Sequence, residues 1–230
     1  LYIHGDRPWV QERLRLAEEL GYAALCITAD SASYGRRERD LRNRFFAGGG
    51  ARRRGADEPD YAGAFCWEDL DWLRSVTRLP LIVKAITCAE DAELAVQHGA
   101  VAVYVSNHGG RQLDCLQATM DVLPEVVAAV NGRAEVLVDG GFIRGSDVLK
   151  ALALGARAVL VGKLMIWGLA AAGEPGLERV LELLRIEMLN IMGNIGVRRL
   201  SELTPEAVRP AYPPPPSIWP CDLGRPAAAL

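Results

Sequence analysis

Short apolar blocks at residues 22–28, 81–86, 101–106, 135–139 and 158–162 recur along the chain, spaced by segments of helical periodicity. None of the blocks alternates apolar with polar residues. Each therefore predicts a strand covered on both faces, as in a parallel sheet jacketed by helices. The intervening helices are expected at Trp9 to Leu20, from Thr87 to His98, at Thr119 to Val130, from Ser146 to Gly155, and at Gly176 to Met192. Strand–helix repeats of this kind leave two architectures, a doubly wound sheet or a (β/α)8 barrel. The polar strings Thr28-Ala29-Asp30, Ser106 to Arg111, Asp139-Gly140-Gly141 and Gly162-Lys163 all directly follow strands. A barrel carries its chemistry at the carboxyl ends of its strands, so the expected fold is an α/β TIM barrel. Counting Leu1-Tyr2-Ile3 as the end of a strand gives six strands. An eight-stranded barrel would then have two strands and part of a third before Leu1.

Helix boundaries are predicted from local chemistry. Thr87 and Glu90 have the spacing of a capping box, Gly99 stops the helix that follows, and Ser146 is placed to cap the next helix but one. Thr204-Pro205 reads as the cap and first position of a last short helix. Two segments break the rhythm. Residues 46–65 are rich in Gly, Arg and Asp and follow a strand, so they are expected either as a lid over the catalytic face or as a plain solvated loop. Residues 211–230 contain Pro213 to Pro216 and Pro220, and are expected as a disordered tail after a barrel domain spanning 1–210.

Composition narrows the function classes. Half of the 230 residues are hydrophobic and the net charge is only −3, which excludes a disordered chain and argues against nucleic acid as a partner. No apolar run approaches the ~18 residues of a membrane-spanning helix. The cysteines Cys26, Cys66, Cys88, Cys115 and Cys221 are scattered, without a C-x-x-C, which points to a reducing, cytoplasmic setting. His4, His98 and His108 lack metal-ligand spacing, so no metal is expected.

The string Ser106-Asn107-His108-Gly109-Gly110-Arg111-Gln112-Leu113-Asp114 is the most informative stretch. A histidine at a strand end can act as a base near neutral pH. An arginine three residues on can clamp a carboxylate, and the glycines let the backbone turn and a ligand approach. Asp139-Gly140-Gly141 before a helix start is a candidate phosphate cradle, joined one strand later by Gly162 and Lys163. Lys84 sits inside an apolar strand, where a bare charge is costly. It has either a carboxylate partner or an electron-rich cofactor above it. The run Gly35 to Phe45 is either a solvated helix face or a segment that points Arg37 at an acidic substrate.

Together these strings resemble the FMN-dependent 2-hydroxy acid dehydrogenases and oxidases, the glycolate oxidase and L-lactate dehydrogenase family. The resemblance rests on Leu1-Tyr2, Thr28 to Asp30, Gly35 to Asp40, Asn43 to Phe45, Leu79 to Lys84, Ser106 to Asp114, Asp139 to Gly141, and Lys150 to Ala156. It implies FMN as the cofactor and a small 2-hydroxy acid as the substrate. Oxygen, a quinone or a cytochrome would accept the electrons, and the family's tetramers imply a homo-oligomer. By resemblance, His108 is the base, Asp30 its partner, Arg111 and Arg37 the carboxylate ligands, and Tyr2 a hydrogen-bond partner of the substrate. Thr28, Lys84 and Ser106 would meet the flavin ring. Asp139, Gly140, Gly141, Arg144, Gly162 and Lys163 would hold the rest of the cofactor. Ile143 and Lys163 stand where the family has its phosphate arginines, and a lysine binds phosphate as a point charge rather than a fork. Two other readings stay open: a barrel remnant that only binds, and a flavin-free lyase or isomerase using Lys84.

Overall fold

The computed structural model describes residues 1–32, 35, 37–45 and 65–211. Apart from Phe65 and Ala211, the expected lid and tail lie outside the described residues. The elements run α1 (Arg7–Glu19), β1 (Leu25–Thr28), α2 (Glu38–Arg42), α3 (Trp67–Val76), β2 (Leu81–Ile86), α4 (Ala89–Gln97), β3 (Ala102–Val105), α5 (Thr119–Val130), β4 (Glu135–Val138), α6 (Gly145–Ala153), β5 (Ala158–Val159) and α7 (Lys163–Asn194). All strand pairs are parallel, and the sheet order is β1-β2-β3-β4-β5. A doubly wound sheet reverses its order at a switch point. This one never reverses, which makes it an arc of a (β/α)8 barrel.

Five strands stand where six were expected among these residues. Leu1 to Ile3 is not a strand, although the Thr28 amide donates to the Leu1 carbonyl at 3.1 Å and the Leu1 amine reaches the Cys26 carbonyl. One residue thus continues the ladder along the free edge of β1.

The two faces of the sheet differ. Ile27, Val83, Val103, Val105, Val136 and Val138 are fully buried under the helices, against Val10 and Leu14 of α1, Leu70 and Leu73 of α3, and Val122, Leu123 and Val126 of α5. On the other face Cys26, Ile82, Lys84 and Leu137 are only half-buried. Thr28, Ala102 and Tyr104 on that face are buried, so the expected burial on both faces holds throughout on the helix side and in part on the other. The inner side of a barrel is filled by side chains from strands around the whole circle, and this arc supplies part of that circle.

Helix ends follow local chemistry, with three departures. Asp6 caps α1 as its carboxylate accepts the Trp9 amide at 3.0 Å, and Pro8 fits the first turn. At α4 the cap position is Cys88, so Thr87 falls one residue outside and the expected box with Glu90 does not form. At α6 the work expected of Ser146 is done by Asp147, whose Oδ2 accepts the amides of Ile143 and Arg144 at 3.2 and 3.0 Å. The last helix begins at Lys163, well before Gly176, and breaks sharply at Ala172 and Gly173. Its two limbs touch at Gly168 and Gly176, where a methyl on either glycine would meet the other's carbonyl oxygen within 2.7 Å.

Candidate active site

β3 hands the chain to a turn that aims His108. After the buried Ser106, residues His108, Gly109 and Gly110 take φ values of +54°, +63° and +70°. Glycine adopts this region freely, whereas a histidine there is strained by about 1–2 kcal/mol. The Gly110 amide closes the turn on the Asn107 carbonyl at 2.9 Å, and side chains brace it. The His108 amide donates to Ser106 Oγ at 3.2 Å, the Gly109 amide to Asn107 Oδ1 at 3.1 Å, and Lys163 Nζ to the Gly109 carbonyl at 2.9 Å. The imidazole is thereby delivered to Asp30, with Nδ1 3.1 and 3.2 Å from the two carboxylate oxygens. A carboxylate only accepts, so Nδ1 carries the proton and Nε2 of the neutral ring keeps its lone pair. That Nε2 lies 3.5 Å from the Tyr2 hydroxyl, and the Tyr2 ring stacks on His4.

The loops after β1 and β3 are clamped together. Gln112 Nε2 donates to the Asp30 carbonyl at 2.8 Å, and the Gly35 amide donates to Gln112 Oε1 at 3.4 Å. Gly35 admits no side chain, because a Cβ there would stand 2.3 Å from the Arg111 carbonyl oxygen. Arg111 itself pairs with Asp40 of α2 at 3.2 Å. Arg37 precedes α2 at its cap position, half-buried, on the same loop.

Lys84, Thr28 and Tyr104 are register partners across β1, β2 and β3. A β-bulge between Lys84 and Ile86, with Ala85 at φ +82°, follows the lysine directly. Lys84 Nζ stands 5.5 Å from the centroid of the Tyr104 ring. The Tyr104 hydroxyl donates to Asp139 Oδ2 at 2.7 Å, while Asp139 Oδ1 is buried and has no hydrogen-bond partner among the described residues. Thr119 Oγ1 lies 2.5 and 3.2 Å from the carbonyl oxygens of Asp139 and Gly140. Gly140 is packed, since a Cβ would sit 2.9 Å from Asn107 Oδ1. The Cα atoms of Gly141 and Gly162 face open space.

At the start of α6, Arg144 is engaged with the following helix. Arg144 forms an ion pair with Glu187 of α7 at 2.7 Å, and Glu187 also accepts the Gly145 amide at 2.7 Å. Hydrogen bonds from Arg144 hold the Glu187 carboxyl below its ordinary range. With Asp147 capping the two preceding amides, two carboxylates already occupy the helix N-terminus.

Over residues 1–210 the chain matches the FMN-dependent dehydrogenase family. The chain belongs to that family. An L-lactate oxidase of Nostoc sp. (strain PCC 7120 / SAG 25.82 / UTEX 2576) is 45% identical over 223 residues, covering 88% of this chain and 61% of the relative. A 2-hydroxyacid oxidase 2 of Bos taurus is 42% identical over 221 residues, covering 91% and 63%. Among solved structures, a mandelate oxidase with (S)-2-phenylpropionate superposes with TM-score 0.78 at 42% identity, covering 89% of this chain and 60% of that one. An oxidised active mutant of (S)-mandelate dehydrogenase gives 0.80 at 40% identity, covering 90% and 63%. The chain thus spans about three fifths of the length of the relatives it matches.

The residues present fit the flavin that gives the FMN-dependent dehydrogenase family its name. A buried carboxylate oxygen without a donor, at Asp139, suits a ligand rich in hydroxyls. Gly141, Gly162 and Lys163 leave room and charge nearby, while Arg144 is engaged elsewhere. Reading the sequence missed Tyr104, Asp40 and Thr119. The only signal for Tyr104 was a hydroxyl inside an otherwise apolar strand.

Proposed function

We propose that this chain carries the catalytic groups for FMN-dependent oxidation of a small L-2-hydroxy acid to its 2-oxo acid. The observation that supports the reading is the His108–Asp30 pair, with Nε2 turned to the Tyr2 hydroxyl at the carboxyl ends of the strands. Such a reaction removes two electrons and two protons from the carbinol carbon and its hydroxyl. His108 Nε2 takes one of those protons, and Asp30 stabilises the imidazolium that results. Tyr2 donates to the substrate oxygen, and Arg111 and Arg37 bind its carboxylate. FMN, when bound, would accept the two electrons and the second proton. Lys84 provides positive charge beside it, Thr28 and Ser106 line the ring site, and Asp139, Gly141, Gly162 and Lys163 hold the remainder.

Molecular oxygen is the terminal acceptor in this reading, in keeping with relatives named as oxidases. The free cysteines Cys26, Cys66, Cys88 and Cys115 support a reducing, cytoplasmic setting. Among the described residues no helix is long and apolar enough to cross a membrane.

The test is anaerobic mixing of the full-length, FMN-loaded protein with L-lactate, glycolate and (S)-mandelate. Loss of the flavin's visible absorbance with at least one acid is expected. A flavin that stays oxidised with all three overturns the reading.

A further inference from the structure

Tyr104 belongs to no string that the sequence singled out, yet three observations converge on it. Its side chain is only 6% exposed, in a strand whose other residues are apolar. Its ring faces the Lys84 ammonium at 5.5 Å, and its hydroxyl spans from β3 to the end of β4 to reach Asp139 Oδ2 at 2.7 Å. One flat, two-torsion side chain therefore meets both a half-buried cation and a carboxylate with one buried oxygen, and these two groups come from strands on either side of it. Burial, then the Asp139 bond, push the phenol pKa well above its usual value, so the hydroxyl stays a donor. With Oδ2 taken, Asp139 presents Oδ1, a buried acceptor with no partner among the described residues. An unpaired buried acceptor is costly, and a ligand donor would relieve that cost. The Asp139 backbone is fixed separately by Thr119, so the carboxylate torsion is what Tyr104 controls.

We propose that Tyr104 is a positioning residue that sets the Lys84 ammonium and the Asp139 carboxylate as a pair, holding Asp139 Oδ1 ready for a hydroxyl of the cofactor and Lys84 ready for its electron-rich ring. The proposal rests on the reading that this site takes FMN. The hydroxyl serves Asp139 and the ring serves Lys84, so the two functions separate by substitution.

The test uses the full-length protein with Tyr104→Phe, Tyr104→Leu, Asp139→Ala and the Tyr104→Phe/Asp139→Ala double variant. FMN affinity is read by quenching of flavin fluorescence, and the two-electron reduction potential of the bound flavin by dye equilibration. Tyr104→Phe keeps the ring and is expected to weaken FMN about three- to tenfold, the scale of one lost hydrogen bond. In the Asp139→Ala background the same change is expected to have no further effect, because its target is gone. Tyr104→Phe is expected to leave the potential unchanged. Tyr104→Leu is expected to lower it, since a displaced cation no longer favours the electron-rich reduced flavin. Wild-type affinity in Tyr104→Phe, additive effects in the double variant, or a wild-type potential in Tyr104→Leu overturns the proposal. Failure of the wild-type protein to bind FMN overturns the functional reading instead. Tyr104→Phe conserves the packing, so the affinity arm stands even where Tyr104→Leu does not fold.

Discussion

Arg111 is already paired: its guanidinium meets the Asp40 carboxylate at 3.2 Å, joining the loop after β3 to helix α2. An incoming substrate carboxylate has to share or displace Asp40. The pair is partly exposed, so its own contribution is small, about 1 kcal/mol or less. Asp40→Asn keeps the shape and removes the competing charge. It is expected to lower KM for the 2-hydroxy acid about two- to fivefold with kcat unchanged. Steady-state kinetics decide, and a raised KM would show that Asp40 orients Arg111 rather than competing for it.

His108→Gln removes the base but leaves Arg111 and Arg37. Flavin reduction by an L-2-hydroxy acid is expected to slow by about 10²–10⁴-fold, while FMN binding persists. Stopped-flow absorbance under anaerobic conditions reads both. Asp30→Asn is expected to slow the same step, because an amide can donate to Nδ1 and so place the proton on Nε2. Reduction at the wild-type rate in either variant rules out this assignment of the base.

Ala85 stands at φ +82°, where an L side chain is strained. Ala85→Gly relieves about 1–2 kcal/mol of strain and costs roughly 0.5–1 kcal/mol of chain entropy. A rise of about 1–4 °C in Tm is expected for a chain of this size. Ala92→Gly, at a fully buried helical site, is expected to lower Tm instead. Calorimetry on the pair tests the bulge, and a fall in Tm for Ala85→Gly contradicts the strain argument.

Glu93 of α4 accepts from Arg133, with Nη1 at 2.8 Å, and from Gln97 at 3.0 Å. Led by the Arg133 bond, these contacts lower the Glu93 pKa from 4.5 to about 2. A carboxyl depressed in the folded state stabilises above its unfolded pKa and loses that contribution as pH falls through the folded value. Stability is therefore expected to drop between about pH 4.5 and 2. Glu93→Gln is expected to flatten that part of the Tm–pH profile and to leave its shape above pH 5 unchanged. An equal slope in wild type and variant removes Glu93 from the acid response.

What could be read in advance follows a physical divide. Strands buried under helices are written in Leu81 to Ile86 and Ala102 to Val105 as apolar runs interrupted by Lys84 and the Tyr104 hydroxyl alone, and those strands form. His108 and Asp30 stand out as polar groups just past strand ends, and Lys84 as a charge inside an apolar strand. The Arg111–Asp40 and Tyr104–Asp139 pairs did not stand out, because each joins residues 71 and 35 positions apart, and only the sheet order brings them together. The cap of α6 was misread for a related reason. Its carboxylates come from Asp147 inside the helix and Glu187 on another, while Ser146 was merely the nearest capping residue. The early start of α7 was hidden by Gly173 and Pro175, which mark a bend between two limbs rather than a beginning.

The unequal burial of the two sheet faces makes adjacent residues answer to different demands. Along β2, Leu81 and Val83 are locked among helices, while Ile82 and Lys84 between them look inward and are only half-covered. Exchange at the first pair disturbs cohesion, and exchange at the second alters what the inner wall can hold or react with. A complete substitution map should therefore alternate with a period of two along Leu81–Lys84 and along β4, with folding lost at one residue and chemistry altered at the next. A barrel built this way can acquire a new substrate by single steps without first loosening the jacket that keeps its shape.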